Sequence, residues 1–455
     1  MAYDFDYFVI GAGSGGVRSA RIAASLGAKV GIAEATHFGG TCVNVGCIPK
    51  KIFSYAADYG TDMMEAGNYG WTSSPKFNWK TLKQNKDNEI ARLSNIYREI
   101  LNINKVSVYE GYAVFKDEHT IQIGNKEITA ERILIAVGGK PQKPDVKGAE
   151  FAKTSDDMFA LDELPKNIII LGAGYIALEF AHILHGIGCD ITIVHRGDFL
   201  LKGFDIDLQD HLLEEMKKQG IKFVMNKQVA EITENSVICD DGEIISADLV
   251  MAATGRVPMT SGLELDKAGV EIDDRGHIIT STEHVTSKDH IYAVGDVTNS
   301  PQLTPVAIAQ GHALADTLFN AKVRYTNFDL IPTAVFSKPE IGTVGLTEQQ
   351  AVKKGIAHIV YKSTFRPLRH TITGLQSKVL IKLVVCANTD KVLGIHMAGS
   401  GAGELIQMAG IALNAGVTKA NFDSTMPVHP TTAEEFIFLH AGATPHPPET
   451  LAKRG

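Results

Sequence analysis

The 455-residue chain has little cysteine, no long apolar run and no surplus of positive charge. With no stretch of ~20 apolar residues, no membrane span is expected. No basic segment followed by an apolar one opens the chain, so no secretory leader is expected either, and the expected setting is the cytoplasm. A net charge of −8 argues against non-specific binding to nucleic acid or anionic membranes and leaves only local basic pockets open. Five cysteines leave little for structural cross-linking, so a closely spaced pair points to catalysis or metal binding. What is present is an ordinary globular composition, 44% hydrophobic and 21% charged. Single cores rarely grow past ~250–300 residues, so two to four domains are expected.

One cysteine pair stands out: Cys42 and Cys47, in Gly-Gly-Thr-Cys-Val-Asn-Val-Gly-Cys-Ile-Pro-Lys-Lys at residues 39–51. Zinc takes about four nitrogen or sulfur ligands at suitable spacing. Cys189, Cys239 and Cys386 stand alone, so no metal site is expected and a redox dithiol is the better reading. Just upstream, an apolar run at residues 7–10 leads into Gly11, Gly13, Ser14, Gly15 and Gly16, then a helical stretch and a second strand ending at Glu34. Strand, Gly-rich turn, helix, strand and acid form the context that makes a dinucleotide fingerprint credible. The glycines let a pyrophosphate approach a helix N-terminus, and Glu34 would hydrogen-bond a ribose.

The arrangement recurs at residues 167–194 around Gly172, Gly174, Tyr175 and Ile176. Glu34 lies 23 residues past Gly11, but the equivalent position past Gly172 is His195, followed by Arg196 and, a short loop later, Lys202. A missing acid and two cations suit a 2′-phosphate, so the second cofactor is expected to be NADPH. Each unit closes on a similar apolar strand and turn, reaching Gly138 in one and Gly255 in the other, which supports an internal duplication. A third apolar strand runs into Gly-Asp at Asp296, which could bind a polyol or ribose or could simply be a turn aspartate. Two fingerprints imply two dinucleotides, and a dithiol beside the first suggests FAD there.

Together these residues resemble the pyridine-nucleotide disulfide oxidoreductases, from about residue 4 to residue 438. The resemblance implies an α/β fold with two Rossmann-like, three-layer dinucleotide-binding domains and an α+β C-terminal dimerisation domain. It implies an FAD domain at 1–140, an NADPH domain at 141–258, a central domain completing the FAD site at 259–330 and a dimerisation domain at 331–455. It also implies that Gly40, Thr41, Gly138, Asp296 and Thr304 line the FAD site. Gly174, Tyr175, Ile176 and Gly255 are expected at NADPH. Cys47 is then the sulfur facing flavin and Cys42 the one facing substrate. Lys50, paired with Glu179, is expected near flavin N5, and Tyr175 is expected to cover the flavin until nicotinamide enters.

Met426-Pro-Val-His429-Pro-Thr-Thr-Ala-Glu434 resembles the family's base segment. There His429 reaches the dithiol of the partner subunit and Glu434 orients it, which implies an obligate homodimer with a shared active site. An imidazole near its pKa can serve both the thiolate attack and the protonation of the leaving thiol.

The expected activity is NADPH-dependent reduction of a low-molecular-weight disulfide, glutathione disulfide foremost. Lipoamide dehydrogenases usually have Ser-Lys where this chain has Lys50-Lys51, and an acid at the position of His195. Mercuric reductases and large thioredoxin reductases need a further C-terminal cysteine pair, and the last cysteine here is Cys386. Arg18 and Arg21 stand where trypanothione reductases place an acid and a tryptophan, and suit an anionic substrate. Tyr97 resembles the tyrosine that divides the two glutathione halves. His312 departs from the pattern, since many family members that reduce glutathione disulfide carry arginine there to bind a substrate carboxylate. Another small disulfide, lipoamide, and a non-catalytic flavoprotein sensor or scaffold remain the competing readings. A scaffold would need none of Cys42, Cys47, His429 and Glu434. The Pro- and Gly-containing tail after residue 439 is expected to be extended or mobile.

Overall fold

The computed structural model describes residues 3–440 apart from residue 73, so the tail from 441 onward lies outside the described residues. The chain divides into two compact units. The first comprises residues 1–52, 80–142 and 255–328, and the second 53–79, 143–254 and 329–455.

The first unit is built on five parallel strands in the order Ser107–Glu110, Val30–Glu34, Phe5–Ile10, Lys126–Ile135 and Ile291–Ala293. Phe5–Ile10 is central and buried at every position but Asp6, as a strand covered on both faces must be. Its register pairs Val9 with Ile32 on one side and Leu134 on the other. The long strand Lys126–Ile135 also pairs antiparallel with Thr120–Ile123, which continues into Ala113–Phe115. Helix Ser14–Ser25 packs against helix Thr304–Phe319 at very short range: a Cβ on Gly311 would lie 2.4 Å from the Gly15 carbonyl oxygen.

The second unit holds a parallel sheet of matching order: Lys222–Met225, Asp190–His195, Asn167–Leu171, Leu249–Ala252 and Lys153–Thr154. In both sheets the central strand leads directly into a Gly-rich turn, and this supports the duplication read from the sequence. A three-stranded antiparallel meander, Val229–Ile232, Ser236–Cys239 and Ile244–Ser246, follows. The C-terminal part is a five-stranded antiparallel sheet in the order Thr333–Val335, Ile341–Gly345, Val392–Ala398, Val379–Cys386 and His358–Phe365. Helix Ala402–Asn414 covers it through a core that includes Val344, Ile381, Leu383, Ile395, Ile406 and Leu413. The architecture is therefore α/β, with an α+β C-terminal part.

Candidate active site

Within the first unit, strand Phe5–Ile10 ends at Gly11, whose φ of +103° excludes ordinary L-residues. A Cβ there would sit 2.5 Å from the Ala136 carbonyl oxygen. Helix Ser14–Ser25 starts at Gly13 without a side-chain cap, so the N–H groups of Ser14, Gly15 and Gly16 have no partner inside the helix and favour an anion. Glu34 braces this turn. One carboxylate oxygen accepts the Ala12 N–H at 2.7 Å, and the other accepts the Thr36 N–H and hydroxyl at 2.8 and 3.0 Å. Acceptor capacity remains for a ribose hydroxyl.

Asp296 lies just past strand Ile291–Ala293, where the Gly295 N–H donates to buried Gln310 at 2.9 Å. Burial pushes the Asp296 carboxyl up, opposed by the Arg256 guanidinium. Arg256 itself donates to the Gly139 carbonyl, next to the Gly138 turn at φ +73°. A pyrophosphate-sized cradle without side chains and a sheltered carboxylate suited to hydroxyls fit an FAD.

The dithiol rests on that cradle. Gly40 takes φ +60°, and a Cβ on it would come within 2.7 Å of the Gly13 Cα, while the Gly39 N–H donates to the Ala12 carbonyl at 2.9 Å. Thr41 and Cys42 lie in the short helix Gly40–Asn44, which Asn44 ties down by donating to the Phe38 and Gly40 carbonyls at 3.0 and 2.9 Å. Cys47 opens the next helix, Cys47–Glu65, with Lys50 one turn further on. Cys42 is half-buried and hydrogen-bonds the Cys47 side chain. The Cys47 sulfur also lies 3.5 Å from the Thr304 hydroxyl, at the start of helix Thr304–Phe319. The Cys42 thiol is pushed far up by its hydrogen bond to Cys47, then by burial and by charge on Cys47. The two sulfurs therefore titrate as one pair, and the pair resists losing its second proton.

Of the four residues expected at the substrate, Tyr97 lies within electrostatic reach of Cys42 and of Arg18 and Arg21, and His312 within reach of the same two arginines. Burial raises the Tyr97 hydroxyl, as does charge on Cys42, while the charges of Arg18 and Arg21 lower it. Burial holds His312 below the usual imidazole range. Asp316 opposes that shift, and Arg324, Arg18 and Arg21 reinforce it. Sequence reasoning missed Asp316 and Arg324: Asp316 sits 3.7 Å from the His312 imidazole and accepts from the Arg324 guanidinium at 2.6 Å. The i,i+4 spacing of His312 and Asp316 on one helix was a usable signal, whereas Arg324 lies in a loop with no motif around it. Three guanidiniums against one carboxylate leave the patch positive, suited to an anionic ligand.

Within the second unit, Gly172 repeats the positive φ, at +113°, and Gly174 opens helix Tyr175–Gly186 without a side-chain cap. Tyr175 is part-exposed at 40%, and Ile176 follows it in the first turn. Glu179 is buried and accepts the Phe336 N–H at 2.9 Å. His195 ends strand Asp190–His195, where burial lowers its pKa, Arg196 reinforces the shift and Asp198 opposes it. Arg196 and Lys202 are both exposed. Gly255, with φ +149°, lies where the chain passes back to the first unit.

His429 and Glu434 also belong to the second unit. The His429 Nδ1 lies 2.9 Å from one Glu434 oxygen and 3.2 Å from the other, and the Thr431 N–H donates to the same carboxylate. Glu434 is 10% exposed but His429 is 79% exposed, so the pair is an oriented imidazole with its far edge open. Met426 and Val428 beside it are exposed as well.

A family model described as pyridine nucleotide-disulphide oxidoreductase matches residues 5–311, and the dimerisation domain of the same family matches residues 331–438. The chain is 46% identical over 442 residues to a glutathione reductase of Burkholderia cepacia, covering 96% of this chain and 98% of that one. It is 44% identical over 458 residues to a glutathione reductase of Nostoc sp., covering 96% and 100%. It is also 41% identical over 454 residues to the chloroplastic/mitochondrial glutathione reductase of Pisum sativum, covering 96% and 82%.

Proposed function

The chain belongs to the pyridine nucleotide-disulphide oxidoreductases, and from that premise we propose that it reduces glutathione disulfide with NADPH through the Cys42–Cys47 pair. The observation that carries this reading is the dithiol seated on the first Gly-rich turn, with Tyr97 in electrostatic reach of Cys42 and the charges of Arg18 and Arg21 acting on both Tyr97 and His312. Gly11 to Gly16, Glu34, Gly40, Thr41, Gly138, Asp296 and Thr304 would hold FAD. Gly172, Gly174, Tyr175, Ile176, Arg196, Lys202 and Gly255 would hold NADPH. When bound, FAD supplies a two-electron relay from NADPH to the Cys42–Cys47 disulfide.

Everything after that is thiol chemistry. Cys42 attacks one sulfur of glutathione disulfide; a Cys42–glutathione bond forms, the substrate disulfide breaks, and one glutathione leaves as a thiolate. His429, held by Glu434, donates the proton that makes it a thiol. Cys47 then attacks the Cys42 sulfur, restoring the Cys42–Cys47 disulfide and releasing the second glutathione. Lys50 on the dithiol helix and Glu179 are assigned to the flavin side, and Tyr175 to gating nicotinamide entry.

The protein works as a homodimer, and the open edge of His429 supports a site completed by the other subunit's dithiol. No helix among the described residues is long and apolar enough to cross a membrane. A cytoplasmic setting, where thiols are kept reduced, completes the reading. So does a division into FAD, NADPH, central and dimerisation parts at residues 140, 258 and 330.

The test is a steady-state panel of glutathione, lipoamide and mixed small disulfides with NADPH and with NADH. Glutathione disulfide with NADPH is expected to give the highest kcat/KM. NADH-linked lipoamide turnover without glutathione-disulfide turnover overturns the reading.

A further inference from the structure

The most heavily charged buried cluster in the described residues has no part in the thiol chemistry. Lys382 stands in the middle of strand Val379–Cys386 and is fully buried. Its ammonium donates to Asp205 at 2.8 Å, to Asp207 at 2.7 Å and to Glu348 at 2.6 Å. Lys362, opposite Lys382 in the register of strand His358–Phe365, adds a 2.7 Å bond to Asp207. On the other side Lys382 pairs with buried His396, which is hydrogen-bonded to Thr343 at 2.7 Å. Burial alone would raise both aspartates, but Lys382, together with His396 at Asp205 and Lys362 at Asp207, outweighs it and holds them below the usual carboxylate range. Apolar residues of similar volume generally stabilise such a position at least as well as buried ions do, so the cluster calls for a reason other than stability.

That reason lies in what Asp205 terminates. Residues 196–205 connect strand Asp190–His195 to helix Ile206–Lys218 and carry Arg196 and Lys202 on their exposed side. Asp205 is the N-cap of that helix, accepting the Asp207 N–H at 3.1 Å, and its other oxygen accepts the Glu348 N–H at 3.1 Å. Buried Gln209, one turn into the helix, donates to the Phe204 carbonyl at 2.8 Å and the Leu201 carbonyl at 3.4 Å. The Leu201 N–H in turn donates to the Ala173 carbonyl, inside the Gly172–Gly174 turn, at 3.0 Å. An unbroken run of contacts thus joins Lys382 to the nucleotide turn through the segment that bears both cations.

We propose that Lys382, through Asp205, Asp207 and Glu348, is a positioning residue that fixes the 196–205 segment and thereby sets the preference for a 2′-phosphorylated nucleotide. The inference rests on the assignment of Arg196 and Lys202 to the 2′-phosphate. A surface loop tethered only by its ends would present those cations over many geometries, and recognition of a phosphate by two side chains requires them in one.

The holoenzyme variants Asp205→Asn, Glu348→Gln and Lys382→Met test this, with KM for NADPH and NADH measured at saturating glutathione disulfide and 2′,5′-ADP affinity measured by calorimetry. In Asp205→Asn, KM for NADPH and Kd for 2′,5′-ADP should each rise about tenfold, the equivalent of one lost charge-assisted contact. KM for NADH and kcat should stay nearly unchanged. A lower Tm with an unchanged NADPH-to-NADH ratio would reduce the cluster to scaffolding and overturn the proposal, as would an equal rise for both nucleotides. If Lys382→Met does not fold, Asp205→Asn and Glu348→Gln decide alone. An Arg196→Ala/Lys202→Ala double variant separates the two layers. If it keeps its NADPH preference, the nucleotide assignment fails. If it loses that preference while Asp205→Asn keeps it, only the positioning role fails.

Discussion

Cys42 is the residue on which turnover depends, and its surroundings hold its proton rather than release it. The hydrogen bond to Cys47, burial and charge on Cys47 all act in one direction. Cys42 therefore attacks substrate as a base takes its proton. Replacing Cys47 with Ser removes two of the three causes, so the pH profile for iodoacetamide alkylation of Cys42 should move to lower pH than in the reduced wild type. Mass-spectrometric mapping of the modified cysteine checks this, and a profile moved upward would contradict it. Turnover should be lost in the same variant. The cysteine pair was legible in the sequence as a short local pattern with a chemical purpose, and the His429–Glu434 couple through its resemblance to the family's base segment. Asp316 left only its i,i+4 spacing from His312 as a signal, and Arg324 and Lys382 left none. Arg324 meets its partner from a loop, and a lysine in the middle of an apolar strand has no local sign that three carboxylates from elsewhere surround it.

At the scale of elements, each nucleotide fold depends on a strand that stops at a glycine and a helix that starts without a cap. Gly11 and Gly13 are adjacent in motif but not in tolerance. Alanine at Gly11 meets the Ala136 carbonyl and an excluded φ, whereas alanine at Gly13 has its nearest neighbour at 3.8 Å. Gly11→Ala should lower stability by roughly 1–3 kcal/mol and purify with little flavin, judged by visible absorbance per chain. Gly13→Ala should fold with a near-wild-type Tm. Both Gly-rich turns could be read from the sequence because strand, turn and helix are contiguous there. The strand before Asp296 could be read as well, but not its place as the fifth parallel strand of the first sheet. Ile291–Ala293 joins Lys126–Ile135 from more than 150 residues away, and pairing at that range leaves no periodicity to read. An α+β C-terminal part was expected from the family resemblance, but its strands were not readable from periodicity, since Val379–Cys386 is buried nearly throughout and shows no alternation.

For the whole molecule the central question is where His429 acts. Glu434 is buried behind it and the outer edge of the imidazole is open, so the proposed action on the partner subunit's dithiol has a direct test. Cys42→Ser and His429→Gln homodimers should each be inactive. Mixed and re-associated, half of the dimers would carry one intact site, so about a quarter of wild-type activity should return if the base acts on the partner's dithiol. No recovery would mean that each subunit is complete. Helix Thr304–Phe319 adds a constraint of another kind. Its first residue touches Cys47, its second turn lies against the phosphate-binding helix at Gly15 and Gly311, and its third carries His312. One helix thus spans the dithiol, the first Gly-rich turn and His312, and a change in its length or tilt would disturb all three at once. Under the proposed assignment, substitutions on the His312 face would retune the choice of disulfide and leave the dithiol seat intact, whereas a shifted helix would misplace both.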